Sequence, residues 1–169
     1  MSKLNREAHI IAIDSVFNSK IADASKAVFE IIGDDIEELS YDLNPDVERV
    51  KNILGKTKTR DNGYEPSFDA DPFYADPEKA IYPKLRDIAM ERKKGDDCKT
   101  LLLEIIIEDT DATTHTAYAR EVMVKPNSVG GDTSGFNIPF NVSEDGDFKK
   151  GTVTAASLAA GAPVFTATP

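Results

Sequence analysis

The amino-acid sequence predicts a mainly β (α+β) fold with one flanking helix. Apolar and polar residues alternate with a period of two through most of the chain, which is the pattern of strands with one buried face. Only one segment repeats apolar residues clearly at helical spacing. The 169 residues, 40% hydrophobic and 30% charged, suffice for one globular domain with its own core. We therefore expect a single domain over residues 1–154, followed by a small, uncharged C-terminal arm over residues 155–169.

The first third of the chain is predicted to contribute three strands. They are Ala8 to Phe17, Ala27 to Ile32 and Ile36 to Leu43. Gly33-Asp34-Asp35 supplies turn residues between the second and third strands. In the third, Leu39, Tyr41 and Leu43 share one face, so that this face is expected to be buried.

The next segment gives two different signals. Asn44-Pro45-Asp46 has the residue types of a helix start, and Val47, Val50 and Leu54 follow at helical spacing. These local signals leave a short helix and a non-helical segment equally open. From Gly55 to Asp76 the chain is polar. A loop of this length in a small domain is commonly functional, and we expect it to become ordered against a partner.

One helix is predicted at about residues 79 to 93. Ile81, Leu85 and Ile88 follow the i, i+4, i+7 spacing of a buried helix face. Pro83 would remove a backbone hydrogen bond inside this helix. The helix is therefore expected either to kink at Pro83 or to start there.

The second half of the chain is predicted to form four more strands. They are Leu101 to Glu108, Thr116 to Lys125, Phe136 to Ser143 and Phe148 to Thr154. The first of these is rich in apolar and β-branched residues and is expected to be central, paired antiparallel with the second. Glu144-Asp145-Gly146-Asp147 is expected to be a turn, and the alternation slips in phase at Gly151.

The net charge of −10 excludes a protein that grips a phosphate backbone by counterion release. The sequence also shows neither a secretory signal pattern after Met1 nor an apolar run long enough for a membrane span. The lone Cys98 cannot form an internal disulfide. We expect synthesis in a reducing cytoplasm.

The densest group of carboxylates consists of Asp69, Asp71, Asp76 and Glu78. Such a group can bind a hard cation or serve as an acid and base pair, which leaves a small acidic cytoplasmic enzyme as an alternative function. A solvated loop with a helix cap explains the same residues more simply. We expect no catalytic residues, no metal and no cofactor.

Aromatic side chains surround the polar loop. Phe68, Phe73, Tyr74 and Tyr82 fit either core packing or an interface with another protein, because aromatic residues are favoured anchors in both.

The order of these segments resembles the major tail (tail tube) proteins of long-tailed bacteriophages. The resemblance covers about residues 5 to 154 and rests on the order and spacing of several pieces. They are a first strand with His9, Ile36-Glu37-Glu38-Leu39-Ser40-Tyr41-Asp42-Leu43-Asn44-Pro45, Gly63-Tyr64-Glu65-Pro66-Ser67-Phe68, Asp71-Pro72-Phe73-Tyr74, Leu85-Arg86-Asp87-Ile88, Arg92-Lys93-Lys94-Gly95-Asp96-Asp97, Gly130-Gly131-Asp132, Ile138-Pro139-Phe140 and Lys150-Gly151-Thr152.

The resemblance implies a small β-sandwich or barrel-like domain that assembles into hexameric rings. The rings would stack into a hollow tube that conducts genome DNA during infection without binding it tightly. The expected location is the virion tail, assembled in the host bacterial cytoplasm, with the tape-measure, terminator and distal tail proteins as further partners. A contractile tail, a bacteriocin or a secretion-like device would use a similar tube protein, and the sequence does not separate these.

The resemblance also implies roles for particular residues. Asn44 to Asp71 would be extended and hairpin-like rather than helical, forming a long loop that contacts the neighbouring ring. Expected residues of that interface are Tyr64, Glu65, Pro66, Phe68, Phe73 and Tyr74. Candidates to line the lumen, on strands near the inner sheet, are Glu37, Glu38, Asp42 and Glu48.

Overall fold

The computed structural model describes residues 3–17 and 20–169, and its main element is a curled, seven-stranded antiparallel sheet. The strands are β1 (His9–Asp14), β2 (Phe29–Ile31), β3 (Pro45–Lys51), β4 (Thr57–Tyr64), β5 (Ser67–Ala70), β6 (Lys99–Ile106), β7 (Thr114–Pro126), β8 (Gly130–Asp132), β9 (Gly135–Asn137), β10 (Phe140–Thr154) and β11 (Phe165–Ala167). The α-helices are α1 (Tyr82–Glu91) and α2 (Ala155–Ala159), and 3₁₀ turns cover Arg6–Ala8, Ile21–Lys26 and Gly95–Cys98. The prediction of a mainly β fold is confirmed.

The long strand β10 organises one side of the main sheet. The strand order is β2-β1-β6-β7-β10, and β10 pairs with β7 along most of its length. On its other side β10 pairs with β5 through its first residues and with β11 through its last. Two pairs, β3 with β4 and β8 with β9, form separate two-stranded sheets.

Strand β6 is central, as predicted, and both of its faces are buried. It lies between β1 and β7. Leu102 packs into one core cluster, whereas Leu101, Leu103 and Ile105 pack into a second cluster on the opposite face. The nearly continuous apolar sequence of β6 is explained by this burial on two sides.

Each face of the sheet has its own cover. One cluster is closed by Leu85 of helix α1, by Ile81 just before that helix and by Phe73. The other is closed by Ala24 of the 3₁₀ turn Ile21–Lys26 and by Phe165 of β11. The domain therefore has three layers, with the sheet in the middle and one cover on each face. Only one of the two covers contains a long helix.

Helix α1 confirms the predicted helix, and its start settles the role of Pro83. The helix begins at Tyr82, so Pro83 lies in its first turn, where a missing N–H costs nothing. The Glu30 carboxylate accepts hydrogen bonds from the backbone N–H groups of Ala80 and Ile81, at 2.8 and 3.2 Å. A carboxylate from β2 therefore caps this helix in place of a local side chain.

Two of the strand predictions are wrong. Ile36 to Leu43 forms no strand and makes only an isolated bridge between Asp42 and Ser67, because its half-buried apolar residues lie across the core cluster instead of pairing at a sheet edge. Residues 136–143 are divided between β9 and β10, with Pro139, which has no N–H to donate, in the break.

The predicted turn at residues 144–147 is also wrong. Strand β10 runs through it, with an irregularity in its register between Glu144 and Phe148. The backbone N–H of Asp147 donates to the Glu121 carboxylate at 3.2 Å, so a side chain of β7 stabilises the bulge.

The C-terminal residues 155–169 do not form an arm, which corrects that prediction. Helix α2 follows β10 directly, and β11 folds back to pair with it. Phe165 is buried in the core, and an added Cβ at Gly151 would collide with the Thr166 carbonyl and the Phe165 ring. The segment is ordered because this single aromatic side chain fills a space that the glycine leaves beside the sheet.

Candidate functional site

The most exposed element of the described structure is the hairpin formed by β3 and β4. These strands pair with each other and, among the described residues, with no strand of the main sheet. Every residue of β3 is exposed, and in β4 only Gly63 is half-buried. A short helix at this position is therefore excluded, and the extended, hairpin-like backbone expected from the resemblance is confirmed.

The tip of the hairpin presents apolar side chains to solvent. Ile53 is fully exposed and Leu54 is 75% exposed. The turn beneath them is well defined, because Asn52 Oδ1 accepts hydrogen bonds from the backbone N–H groups of Leu54 and Lys56, both at 3.0 Å. Gly55 adopts a φ of 76°, which favours glycine. The sequence thus fixes the turn while leaving two large aliphatic side chains without a cover.

The hairpin is basic, in contrast to the chain as a whole. No acidic residue occurs between Arg49 and Arg60, and the five basic side chains there are Arg49, Lys51, Lys56, Lys58 and Arg60. One of them, Arg60, pairs with Glu48 across the two strands at 3.1 Å. The whole chain carries 30 acidic and 20 basic residues. The hairpin is therefore complementary in charge to the remainder of the molecule.

The structure divides the predicted interface residues into two groups. Tyr64 and Glu65 are exposed at the base of the hairpin, and Pro66 and Tyr74 are half-buried. Phe68 and Phe73 are buried in the core cluster, where they pack with Tyr41 and Phe140, respectively.

Phe68 and Phe73 are therefore core residues, and their assignment to an interface is wrong. The physical reason is that β5 pairs with β10 and turns Phe68 inward. The aromatic spacing favours core packing only slightly over an interface.

The four lumen candidates do not share a strand. Glu48 is exposed on β3, and Asp42 makes an isolated bridge. Glu37 and Glu38 are exposed and lie outside any strand, so the expectation that they belong to a strand of an inner sheet is wrong. Their position in an assembled tube stays a prediction.

The carboxylates of the predicted acidic cluster make separate local contacts. Asp69 accepts hydrogen bonds from the side chains of Asn127 and Asn141 at 3.3 and 3.0 Å. Asp71 accepts one from the Asn137 side chain at 3.1 Å. Asp76 Oδ1 accepts one from the backbone N–H of Glu78 at 2.9 Å, which is a local turn.

Three of the four carboxylates, those of Asp69, Asp71 and Asp76, therefore stabilise the local structure. Across residues 3–17 and 20–169, no group of three or more His, Cys, Asp or Glu side chains is arranged to hold a metal ion. The enzyme alternative gains no support from them.

A partly buried ionic network joins four strands. It lies on the same face of the sheet as helix α1, at the opposite end of that face. His9 Nε2 lies 2.6 Å from Glu104 Oε2, and Arg120 Nε lies 3.3 Å from Glu104 Oε1. Arg120 also reaches Glu144 Oε1 at 3.2 Å. These residues come from β1, β6, β7 and β10, so the network joins strands that are distant in the sequence.

The two carboxylates of this network have opposite electrostatic environments. Burial raises the pKa of Glu104, but the hydrogen bond and charge of His9, together with Arg120, outweigh it and hold that pKa below 4.5. Burial raises the pKa of Glu144, and Arg120 does not fully compensate.

The Tyr41 side chain lies against the same network. Its hydroxyl is buried and finds no hydrogen-bond partner among the described residues. Burial, followed by the nearby Glu144 and Glu104 charges, raises the pKa of Tyr41 well above its usual value. Pairs of carboxylates whose pKa values are driven apart occur in active sites, and also in structural ion networks.

The packing around Arg120 favours the structural explanation. Its guanidinium carbon lies 5.4 Å from the Tyr118 ring centroid and 5.2 Å from that of Phe148, so aromatic side chains enclose it. The adjoining cavity of about 230 Å³ is smaller than a typical substrate pocket. One signal of this network is visible in the sequence, namely Glu104 within the apolar run of β6.

Helices long and apolar enough to traverse a lipid bilayer do not occur in the described parts of the chain. No protein-family model matches this sequence, and a comparison with curated proteins finds no match either.

Proposed function

We propose that this chain is a non-enzymatic structural protomer of a phage tail tube, which forms hexameric rings that stack around a path for genome DNA. The proposal starts from the order of sequence segments that resembles tail tube proteins. The observation that carries it is the exposed β3–β4 hairpin, whose backbone is ordered by its own hydrogen bonds while its apolar tip has no cover.

A hairpin of this kind is an unfavourable element for an isolated domain. Two strands without a third strand or a packed face are only marginally stable in water. Val47, Ile53 and Leu54 add exposed apolar area that contributes nothing to the fold of the single chain. Contact with another copy would remove that area from water, and a stacked ring supplies such a contact for every subunit.

The edges of the main sheet support a ring as well. In the described chain β2 ends the sheet on one side, and β11 lies on the outer side of β10. Strand edges carry unpaired backbone groups, which neighbouring subunits in a closed ring can cover. Stacking of rings through a different surface produces an open, extendable assembly.

The charge of the chain fits a path for DNA. An acidic wall repels a duplex, whereas a basic wall would bind its phosphates and slow its passage. Because repulsion is screened within about 8–10 Å at physiological salt, only carboxylates close to the duplex act on it. Glu37, Glu38, Asp42 and Glu48 stay candidates for that wall.

Electron microscopy and sedimentation of the concentrated protein test the proposal. We expect rings or tubes for the unchanged protein, and at least about tenfold less assembly when Ile53→Ser and Leu54→Ser are combined. Val129→Ser is the matched control, since Val129 is an exposed apolar residue outside the hairpin. A strictly monomeric mass at high concentration, with neither rings nor tubes, would overturn the proposed function.

A further inference from the structure

A cleft at the β1–β2 side of the sheet has an aliphatic lining. It has a volume of about 400 Å³. Five half-buried aliphatic residues from β1, β2 and the segment that follows β2 line it, namely Ile10, Ile31, Ile32, Ile36 and Leu39. These side chains form a concave apolar surface that the chain itself leaves open.

The same cleft carries carboxylates among its lining residues. Glu7, Asp34 and Glu37 are exposed there. Asp34 lies 3.8 Å from the Lys79 ammonium, whereas Glu7 and Glu37 form no ion pair among the described residues. The one arginine of the cleft, Arg6, donates hydrogen bonds to the carbonyl oxygens of His9 and Leu39 at 2.8 and 3.1 Å. The rim of the cleft is acidic because three carboxylates outnumber the single Arg6 guanidinium.

We propose that the hairpin tip of one copy docks into this cleft of a second copy. Ile53 and Leu54 would cover the aliphatic lining, while Lys51 and Lys56 on either side of the tip would face Glu7, Asp34 and Glu37. The inference rests on the proposed function and names the receptor surface of the ring-to-ring contact. It assigns Glu37 to the contact between copies, and not to the wall of the lumen.

Two other cavities of the described structure match the tip less well. The cavity beside Glu104 and Glu144 has its charges already paired with Arg120 and His9. The cavity beside Lys99 also contains Lys20, and Lys99 is paired with both Asp96 and Asp145. A basic tip with two aliphatic side chains is complementary to the β1–β2 cleft in both charge and polarity.

The arrangement also explains directional growth. The tip and the cleft are different surfaces of the same chain, so a contact between them is heterologous. A docked pair of copies still offers one free tip and one free cleft. Contacts of this type can therefore be repeated from ring to ring without closing on themselves.

Cross-linking between two singly substituted proteins tests the docking directly. Ile53→Cys protein and Ile36→Cys protein are mixed at high concentration and treated with a short bismaleimide. We expect a covalent dimer that contains one copy of each variant. The natural Cys98 is buried, so the unchanged protein serves as the background control. A mixture of Ile53→Cys with Val129→Cys is the matched control for random collision.

The outcomes separate the docking from the proposed function. Rings without the mixed product, or with no more of it than the Val129→Cys control gives, would overturn the docking and leave the function standing. The mixed product without rings or tubes would support the docking and overturn the tube function. Absence of both would overturn both proposals.

A charge exchange provides a second measurement on the full chain. Lys56→Glu and Glu37→Lys should each raise the concentration needed for assembly about tenfold, since each places like charges across the contact. Combining the two substitutions in one chain should bring the concentration needed for assembly most of the way back to that of the unchanged protein. The control combines Lys56→Glu with Asp132→Lys, at an exposed acidic residue outside the cleft, and should restore nothing. Equal restoration by both combinations would contradict the docking.

Discussion

Strands β6 and β3 have similar lengths but opposite environments. Strand β6 has a neighbour on each side and a core cluster on each face. Strand β3 has one neighbour, and all of its residues are exposed. The chain therefore stabilises β6 by itself, whereas burial of β3 requires another molecule. Substitutions in the two regions should affect different measurements, namely unfolding for the sheet and association for the hairpin.

The largest effect on unfolding is expected from Phe140→Ala. Phe140 is fully buried at the start of β10 and packs edge to face with Phe73. Removing its ring should lower the free energy of unfolding by about 3–5 kcal/mol. Val47→Ala in the exposed hairpin should change it by less than about 0.5 kcal/mol. Urea unfolding of the dilute, monomeric protein measures both values. Similar losses of unfolding free energy for the two variants would contradict the difference between the sheet and the hairpin.

A smaller loss, of about 3 kcal/mol, is expected from Phe165→Ala. This variant tests whether residues 155–169 belong to the core, because Phe165 is the residue through which β11 packs there. Gly151→Ala should act in the same direction, since its methyl group would collide with the β11 backbone. Val164→Ala is the control, because Val164 is exposed beside Phe165. If the Phe165 and Gly151 variants unfold at the same urea concentration as the unchanged protein, residues 155–169 do not belong to the core and form an arm.

The smallest of the three effects, about 2 kcal/mol at neutral pH, is expected from Glu104→Gln, which weakens the ionic network. The pKa of Glu104 is lowered in the folded state, so its contribution is present above its usual pKa of 4.5 and is lost as the pH falls through the lowered value. The difference between the unchanged protein and Glu104→Gln should therefore narrow as the pH falls. Unfolding measured between about pH 3 and pH 7 checks this.

Glu144→Gln is expected to change the pH dependence of stability in the opposite direction to Glu104→Gln. The folded-state pKa of Glu144 is raised, so its ionisation costs stability as the pH rises through that value. The Glu144→Gln variant should gain stability relative to the unchanged protein over the same rise in pH. If both variants lose stability in parallel at every pH, the two carboxylates do not have the different environments described here.

Periodicity predicted the central sheet well because burial there is decided by neighbouring strands. Leu101 to Glu108 and Thr116 to Lys125 correspond closely to β6 and β7. Ile36 to Leu43 has the same alternation, but its apolar residues cover a core face without pairing. Alternation predicted the partial burial of Leu39 and Tyr41, although Leu43 on the same face is exposed, and it does not report whether the backbone has a partner strand.

The candidate site was predictable only in part. The resemblance indicated the extended hairpin, which local signals had left open. The acidic rim of the cleft joins Glu7 to Asp34 and Glu37 through the pairing of β1 with β2, and no local spacing shows that contact. The order of the C-terminal segment depended on Gly151 and Phe165 meeting across β10 and β11, which is likewise a tertiary event.

The position of β10 has a consequence for how the chain folds. Its first residues pair with β5, so Ala70 meets Phe140, and its later residues hold β11. Sheets built from such distant segments fold slowly, because the closure of long loops must precede most of the stabilising contacts. During synthesis on the ribosome, the edges of β5 and β7 that pair with β10 would stay unpaired until β10 emerges. The interval between their synthesis and that of β10 is the period in which this protein is most exposed to misassociation.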